Sequence, residues 1–211
     1  PARGTMTAEL RADNLHLWRG EQHVLRGVGF AARAGQCLLV TGRNGAGKTS
    51  LIRTIAGILQ PEEGHVYWRG ESTARDRAGF HGEMAYLGHD APLKGDLTGA
   101  ENLHFGVGVR RRFSVADMRA ALGRTIANDF ADRPVRTLSA GQRRRIALAG
   151  VLLTSATLWL LDEPTTNLDA SGQELVTTLL AAHLAGGGIA VAAIHHPLAL
   201  DAHLTTRLEL T

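Results

Sequence analysis

The chain has 211 residues, 44% of them hydrophobic, enough to bury one substantial core and too few for two domains of full size. Its net charge is only +3 and its basic character comes from arginines, Lys48 and Lys94 being the only lysines, so composition is weak evidence for a nucleic-acid partner. Cys37 is the sole cysteine, which excludes an internal disulfide and a multi-cysteine metal site and reads as a small buried thiol.

Residues 1–5 form a short polar tail ahead of Met6, with no apolar run after them that would serve as a signal segment, so one domain is expected over 6–211. Residues 8–33 alternate apolar and polar side chains around Leu10, Leu15, Leu17, Val24, Leu25, Val28 and Phe30, the pattern of antiparallel strands turning at Gly20. Trp18, just before that turn, either stacks on a base or closes the sheet edge, and pattern alone leaves both open.

Residues 38–58, LLVTGRNGAGKTSLIRTIAGI, carry the strongest signal. Leu38–Val40 read as a buried strand, and Leu51, Ile52, Ile55, Ile58 and Leu59 recur at helical spacing. Between them Gly42, Gly47, Lys48 and Thr49 complete GxxxxGK[ST], so Gly42, Arg43, Asn44, Gly45, Ala46, Gly47, Lys48, Thr49 and Ser50 form a candidate phosphate loop. Glycines at those places let successive N–H groups turn inward around a phosphate, and the helix start adds unpaired donors and the positive dipole end. Lys48 is then suited to the β- and γ-phosphates and the Thr49 hydroxyl to magnesium.

Pro61 and Gly64 mark a turn, His65–Trp68 a short strand, Arg69–Gly82 a polar stretch, and Met84–Leu87 another core strand. Thr98 with Glu101, and Ser114 with Asp117, have capping-box spacing, so a helical insert is expected from about 96, and with the helix after LSAGQ it reaches about 154. Arg110, Arg111 and Arg112 between its helices read as a solvated face. The longest uncharged run, 146–161, is interrupted by Gly150 and polar residues and is too short to span a bilayer, so the chain is not expected to cross a membrane itself.

Leu158–Leu161 form a strand buried on both faces that ends in Asp162 and Glu163. A helix over Gly172–Leu184, capped by Ser171, and a buried strand over Ile189–Ile194 ending at His195 complete the pattern. Strands alternating with helices imply a mostly parallel sheet with ligands at the strand C-termini, where Gly42, Asp162 and His195 all fall. Asp162 has the place of a magnesium-binding carboxylate and Glu163 that of a base for the attacking water.

Together these residues resemble the ATP-binding-cassette ATPases over nearly the whole chain. LSAGQ, Leu138–Gln142, is similar to that family's LSGGQ signature with Ala140 in place of a glycine; Thr165–Ser171 look like its loop after the carboxylates, with Asp169 at the loop's aspartate. His195 matches the switch histidine, and Trp18 approximately matches the adenine-stacking aromatic. The resemblance implies an α/β phosphate-loop fold with an N-terminal antiparallel β-subdomain and an inserted helical subdomain. It also implies ATP and Mg2+ as cofactors, and a head-to-tail dimer in which Ser139, Gly141 and Gln142 of one copy close on ATP held by the other. The family carries a glutamine after the strand at 84–87; YLGHDAP puts Asp90 there, as a nucleotide-side and magnesium contact.

The stretch Tyr86–Phe105, with LSAGQ and the IHHPL ending, looks like the ATP-binding subunits of haem exporters in cytochrome c maturation. That resemblance implies a peripheral subunit on the cytoplasmic face of a bacterial inner membrane, bound to integral membrane subunits, with no haem bound directly and no nucleic acid. The alternatives are the ATPase of a transporter for another substrate and a soluble, nucleic-acid-linked ATPase of the same superfamily.

Overall fold

The computed structural model describes residues 9–211; the tail 1–5 and the expected domain start at Met6 lie outside the described residues. Leu10–Arg19 (β1) and Gln22–Ala32 (β2) form an antiparallel hairpin, after which Cys37–Gly42 (β3) runs through the loop into Lys48–Ile55 (α1). Glu63–Trp68 (β4) and Glu71–Ser72 (β5) follow, then Arg77–Glu83 (α2) and Met84–Leu87 (β6). Three helices come next, Gly99–Gly108 (α3), Val115–Arg124 (α4) and Ala140–Leu153 (α5), and the chain ends in Leu158–Asp162 (β7), Ala170–Ala185 (α6), Ile189–Ala193 (β8) and Thr205–Leu210 (β9). The antiparallel sheet has the order β2-β1-β4-β5; the second sheet, order β6-β7-β8-β3-β9, is parallel throughout.

Alternation along the parallel strands sorts side chains into two layers. Leu38 and Val40 of β3 and Leu158 and Leu160 of β7 face a core shared with the antiparallel sheet and with Leu51, Ile52 and Ile55 of α1. Cys37, Leu39, Trp159 and Leu161 face the opposite way, onto α5 and α6 through Leu148, Val151, Leu180 and Leu184. Burial pushes the Cys37 thiol up to about 12, which keeps it protonated. A third cluster, including Leu103, Leu122, Ile146 and Leu153, sits among α3, α4 and α5, so α5 packs on both sides. Both expected capping boxes form, Thr98 with Glu101 and Ser114 with Asp117, and Arg110–Arg112 are exposed. No helix among the described residues is long and apolar enough to cross a membrane.

Four local expectations need correction. The periodicity through Ile58 and Leu59 does not continue α1, because the N–H groups of Gly57 and Ile58 turn back to the carbonyls of Thr54 and Arg53; Ile58 is left 56% exposed. The polar stretch 69–82 contains most of α2, started by Asp76 accepting from the Gly79 N–H and anchored by buried Phe80. The cap of α6 is Asp169, which accepts from the Gly172 N–H at 2.9 Å, while Ser171 donates to Asp169 instead of capping. Strand β9 was not anticipated; it extends the sheet beside β3 and reaches Gly42.

Candidate functional site

Neighbouring strands β3, β8 and β7 run parallel, so their C-terminal ends deliver the phosphate loop, His195 and the Asp162–Glu163 pair to one edge of the sheet. Close packing shapes the loop. A Cβ on Gly42 would lie 2.4 Å from the Leu210 carbonyl oxygen, and one on Gly47, at φ 99°, would lie 2.8 Å from Val24 Cγ1. Only glycine fits either place.

Among the described residues, Gly47 opens α1 with no side chain capping its N-terminal amides, whereas the other α-helices each have a capping side chain. Those amides are free to meet an anion. Arg43, Asn44 and Gly45 are exposed, Ala46 and Thr49 half-buried, and Lys48 and Ser50 buried. The Lys48 ammonium donates to the carbonyls of Gly42 (2.8 Å) and Arg43 (3.1 Å), folded back over the loop it belongs to.

The hairpin that touches Gly47 through Val24 also carries Trp18. Its indole stacks on His23 at 3.8 Å with the rings 7° apart, and its backbone N–H donates to Glu62. One face of the aromatic is thereby taken by an imidazole.

Asp162 is fully buried. The Thr49 hydroxyl donates to its Oδ1 at 3.1 Å, and its Oδ2 has no donor among the described residues. Burial pushes this carboxyl up; the Thr49 bond works against that, and the charge of Glu163 adds to it. A desolvated carboxylate oxygen left unmatched beside a hydroxyl is a ligand set that suits a hard divalent cation.

Glu163 sits at φ 50°, a left-handed conformation that a glutamate keeps only when held. Its N–H bonds the Ala193 carbonyl at 3.0 Å. Its carboxylate receives His195 Nε2 at 2.5 Å and the Thr166 hydroxyl at 3.1 Å, with His89 Nδ1 3.3 Å away. Burial alone would raise its pKa, but the bonds from His195 and Thr166 and the charges of His195 and His89 outweigh it and hold the group below the usual carboxylate range.

Two residues here were missed in the sequence. His89, not Asp90, is the side chain that the turn after β6 turns toward Glu163; Asp90 is exposed, and no hydrogen bond among the described residues joins it to Thr49 or Asp162. Arg144 is the other: 3% exposed, it gives its guanidinium to backbone carbonyls of the turn after β6 and of the end of β7. Its signal was available, since it lies in phase with Ala147, Leu148 and Val151 on the buried stripe of α5.

Ser139 caps α5 and shares a capping box with Gln142. Gly141 packs so closely on the loop after the carboxylates that a Cβ there would lie 2.8 Å from the Asn167 oxygen. Asp169, besides capping α6, lies 3.7 Å from Arg145. Within one chain, no hydrogen bond among the described residues joins Ser139, Gly141, Gln142 or Asp169 to the phosphate loop.

The sequence profile of the ABC transporter family matches residues 25–166. The chain is 43% identical over 205 residues to the cytochrome c biogenesis ATP-binding export protein CcmA of Salmonella typhi, covering 96% of this chain and 97% of that one. It is 45% identical over 192 residues to the protein of the same name from Methylococcus capsulatus, covering 90% and 93%. Among solved structures, cbiO1 from Clostridium perfringens, part of the ABC transporter complex cbiONQ, gives a TM-score of 0.75 at 26% identity over 90% of this chain and 79% of that one. The ATP-binding subunit of another ABC transporter gives 0.77 at 23% identity, covering 89% and 80%, a likeness of fold alone.

Proposed function

Because the chain belongs to the ABC transporter family, we propose that it is the ATP-hydrolysing subunit of the haem exporter that serves cytochrome c biogenesis. The observation that carries the chemistry is the Thr49–Asp162 hydrogen bond, which ties the phosphate loop to the strand bearing Glu163. In this reading residues 6–211 act as one nucleotide-binding domain with a helical insert over about 96–154.

ATP rests its phosphates on the loop amides from Gly45 to Ser50, with Lys48 exchanging the carbonyls of Gly42 and Arg43 for phosphate oxygens. Thr49 and the unmatched oxygen of Asp162 would hold Mg2+, which supplies neutralisation of phosphate charge when bound. Glu163, kept ionised by its two imidazoles and Thr166, accepts the proton of the attacking water. His195 reports on the γ-phosphate through its bond to Glu163, and the Trp18 indole offers its remaining face to adenine.

The signature residues Ser139, Gly141 and Gln142, with Asp169, are then reserved for the nucleotide of a second copy arranged head to tail. This chain would sit peripherally on the cytoplasmic face of a bacterial inner membrane, where integral membrane subunits complete the machine and haem passes without touching the chain.

A strain deleted for this chain tests the proposal. Wild type is expected to restore c-type cytochromes and Lys48→Ala to fail, although present at equal levels; full restoration by Lys48→Ala, or normal cytochromes without either, overturns it.

A further inference from the structure

Arg144 enters α5 a turn after Ser139, and its burial is unusual for an arginine with no carboxylate hydrogen-bonded to it. A guanidinium has five N–H groups. Here Nε donates to Pro164 O at 3.2 Å, Nη1 to Gly88 O at 2.7 Å and His89 O at 3.2 Å, and Nη2 to Asp162 O at 2.8 Å and Glu163 O at 2.6 Å. These carbonyls belong to the turn that follows β6 and to the last residue of β7 and the turn after it, and the two strands are adjacent in the sheet. The two turns present His89 and Glu163 to one another. Burial disfavours the charge, while the carboxylates of Asp162, Glu163 and Asp90 favour it.

We infer that Arg144 is a positioning residue for Glu163: its planar fork pins the backbone on both sides of the His89–Glu163 contact to the helix that begins with the signature residues. The inference rests on the reading of Glu163 as the base. Glu163 needs such a hold, because at φ 50° its conformation is not one it keeps unaided, and its carbonyl takes both Arg144 Nη2 and the Thr166 N–H. The planar fork also explains why the residue is arginine. Lysine keeps the charge but brings three donors on one atom and cannot span two turns. Because α5 carries Ser139 and Gly141 at its start, a shift of that helix on closing against a second copy carries Glu163 with it.

The test uses the chain assembled with its membrane subunits. Arg144→Lys is expected to lower kcat about 100-fold, the scale of a misplaced reacting group, while KM for ATP and affinity for a non-hydrolysable ATP analogue stay within about twofold. Arg144→Ala, which removes the guanidinium donor from five carbonyls and leaves Glu163 O only the Thr166 N–H, is followed by thermal unfolding and is expected to lose more activity than Arg144→Lys. If kcat is unchanged in Arg144→Lys, or kcat and analogue affinity fall together, the inference is overturned. Glu163→Gln separates the two levels: full hydrolysis in that variant overturns the reading of the base and this inference with it. An inactive Glu163→Gln beside a fully active Arg144→Lys overturns this inference alone.

Discussion

The two ends of β7 and β8 are built from the same buried strands and treat polar groups in opposite ways. At the N-terminal end, His183 of α6 lies flat on Trp159 at 3.9 Å and bonds the Ile189 carbonyl through Nε2 at 3.1 Å. Its ring fills the space above Gly188, where a Cβ would come within 2.3 Å. At the C-terminal end, Asp162 Oδ2 is buried without a donor, Glu163 holds a left-handed backbone, and Lys48 rests on carbonyls of its own loop. Buried side-chain atoms of Thr54, Trp68 and Thr206 are also unmatched among the described residues, but Asp162 is the only ionisable group in that set. The fold can therefore satisfy a half-buried polar side chain at a strand end when nothing else is to bind there. The mismatch at the other end is what the proposed nucleotide and its cation would complete.

The sharpest way to test that contrast is Glu163→Gln, which keeps the shape and removes the proposed base. Hydrolysis by the assembled complex should fall about 10²–10⁴-fold, with nucleotide binding retained; a smaller fall would mean that the strained glutamate is not the proton acceptor. Asp162→Asn comes next. Without nucleotide it exchanges one unmatched buried atom for another and keeps an acceptor for Thr49, so the thermal midpoint should hardly change. With magnesium-ATP at about 100 times Kd, the wild type should gain about 2.7 kcal/mol, and the variant should lose the magnesium-dependent part of that gain. A variant that unfolds without ligand would instead make Asp162 a structural carboxylate.

The ends differ in how readily the sequence discloses them. The phosphate loop, the buried strand into Asp162 and Glu163, and His195 were legible because strand, turn and helix each carry a local pattern, and their meeting follows from a parallel sheet. Trp18 reads from its position before Gly20 as either a base-stacking or a sheet-edge aromatic, and its stack on His23 depends on cross-strand register, which the sequence does not spell out. His89 was hidden because it and Asp90 are adjacent and both plausible by chemistry; only the path of the turn after β6 decides which faces Glu163. Arg144 was hidden by its neighbours, since an arginine triplet reads as surface until the helical phase is followed onto the buried stripe. Helix α2 was masked by polar composition and β9 by the absence of any motif beside it. The cap at Asp169 was masked by Ser171 two residues later.

The N-terminal end gives the mildest test. Burial lowers the His183 pKa below its ordinary 6.5, against the pull of the Ile189 and Thr157 carbonyls. The folded chain thus keeps a neutral imidazole where the unfolded chain takes up a proton. Above the ordinary value the two states bind protons alike at this site and it contributes no slope. As pH falls below 6.5 toward the lowered folded value, the unfolded state binds more, and stability declines with it. His183→Phe keeps the stack on Trp159 and loses the bond to Ile189, costing about 1 kcal/mol at neutral pH. Comparing urea midpoints at neutral and mildly acidic pH should show the wild type losing more stability on acidification than the variant, because only the side chain at 183 differs between them. Equal losses would mean that the imidazole is protonated in the fold at no cost, and that this end of the sheet is not as closed to charge as its packing implies.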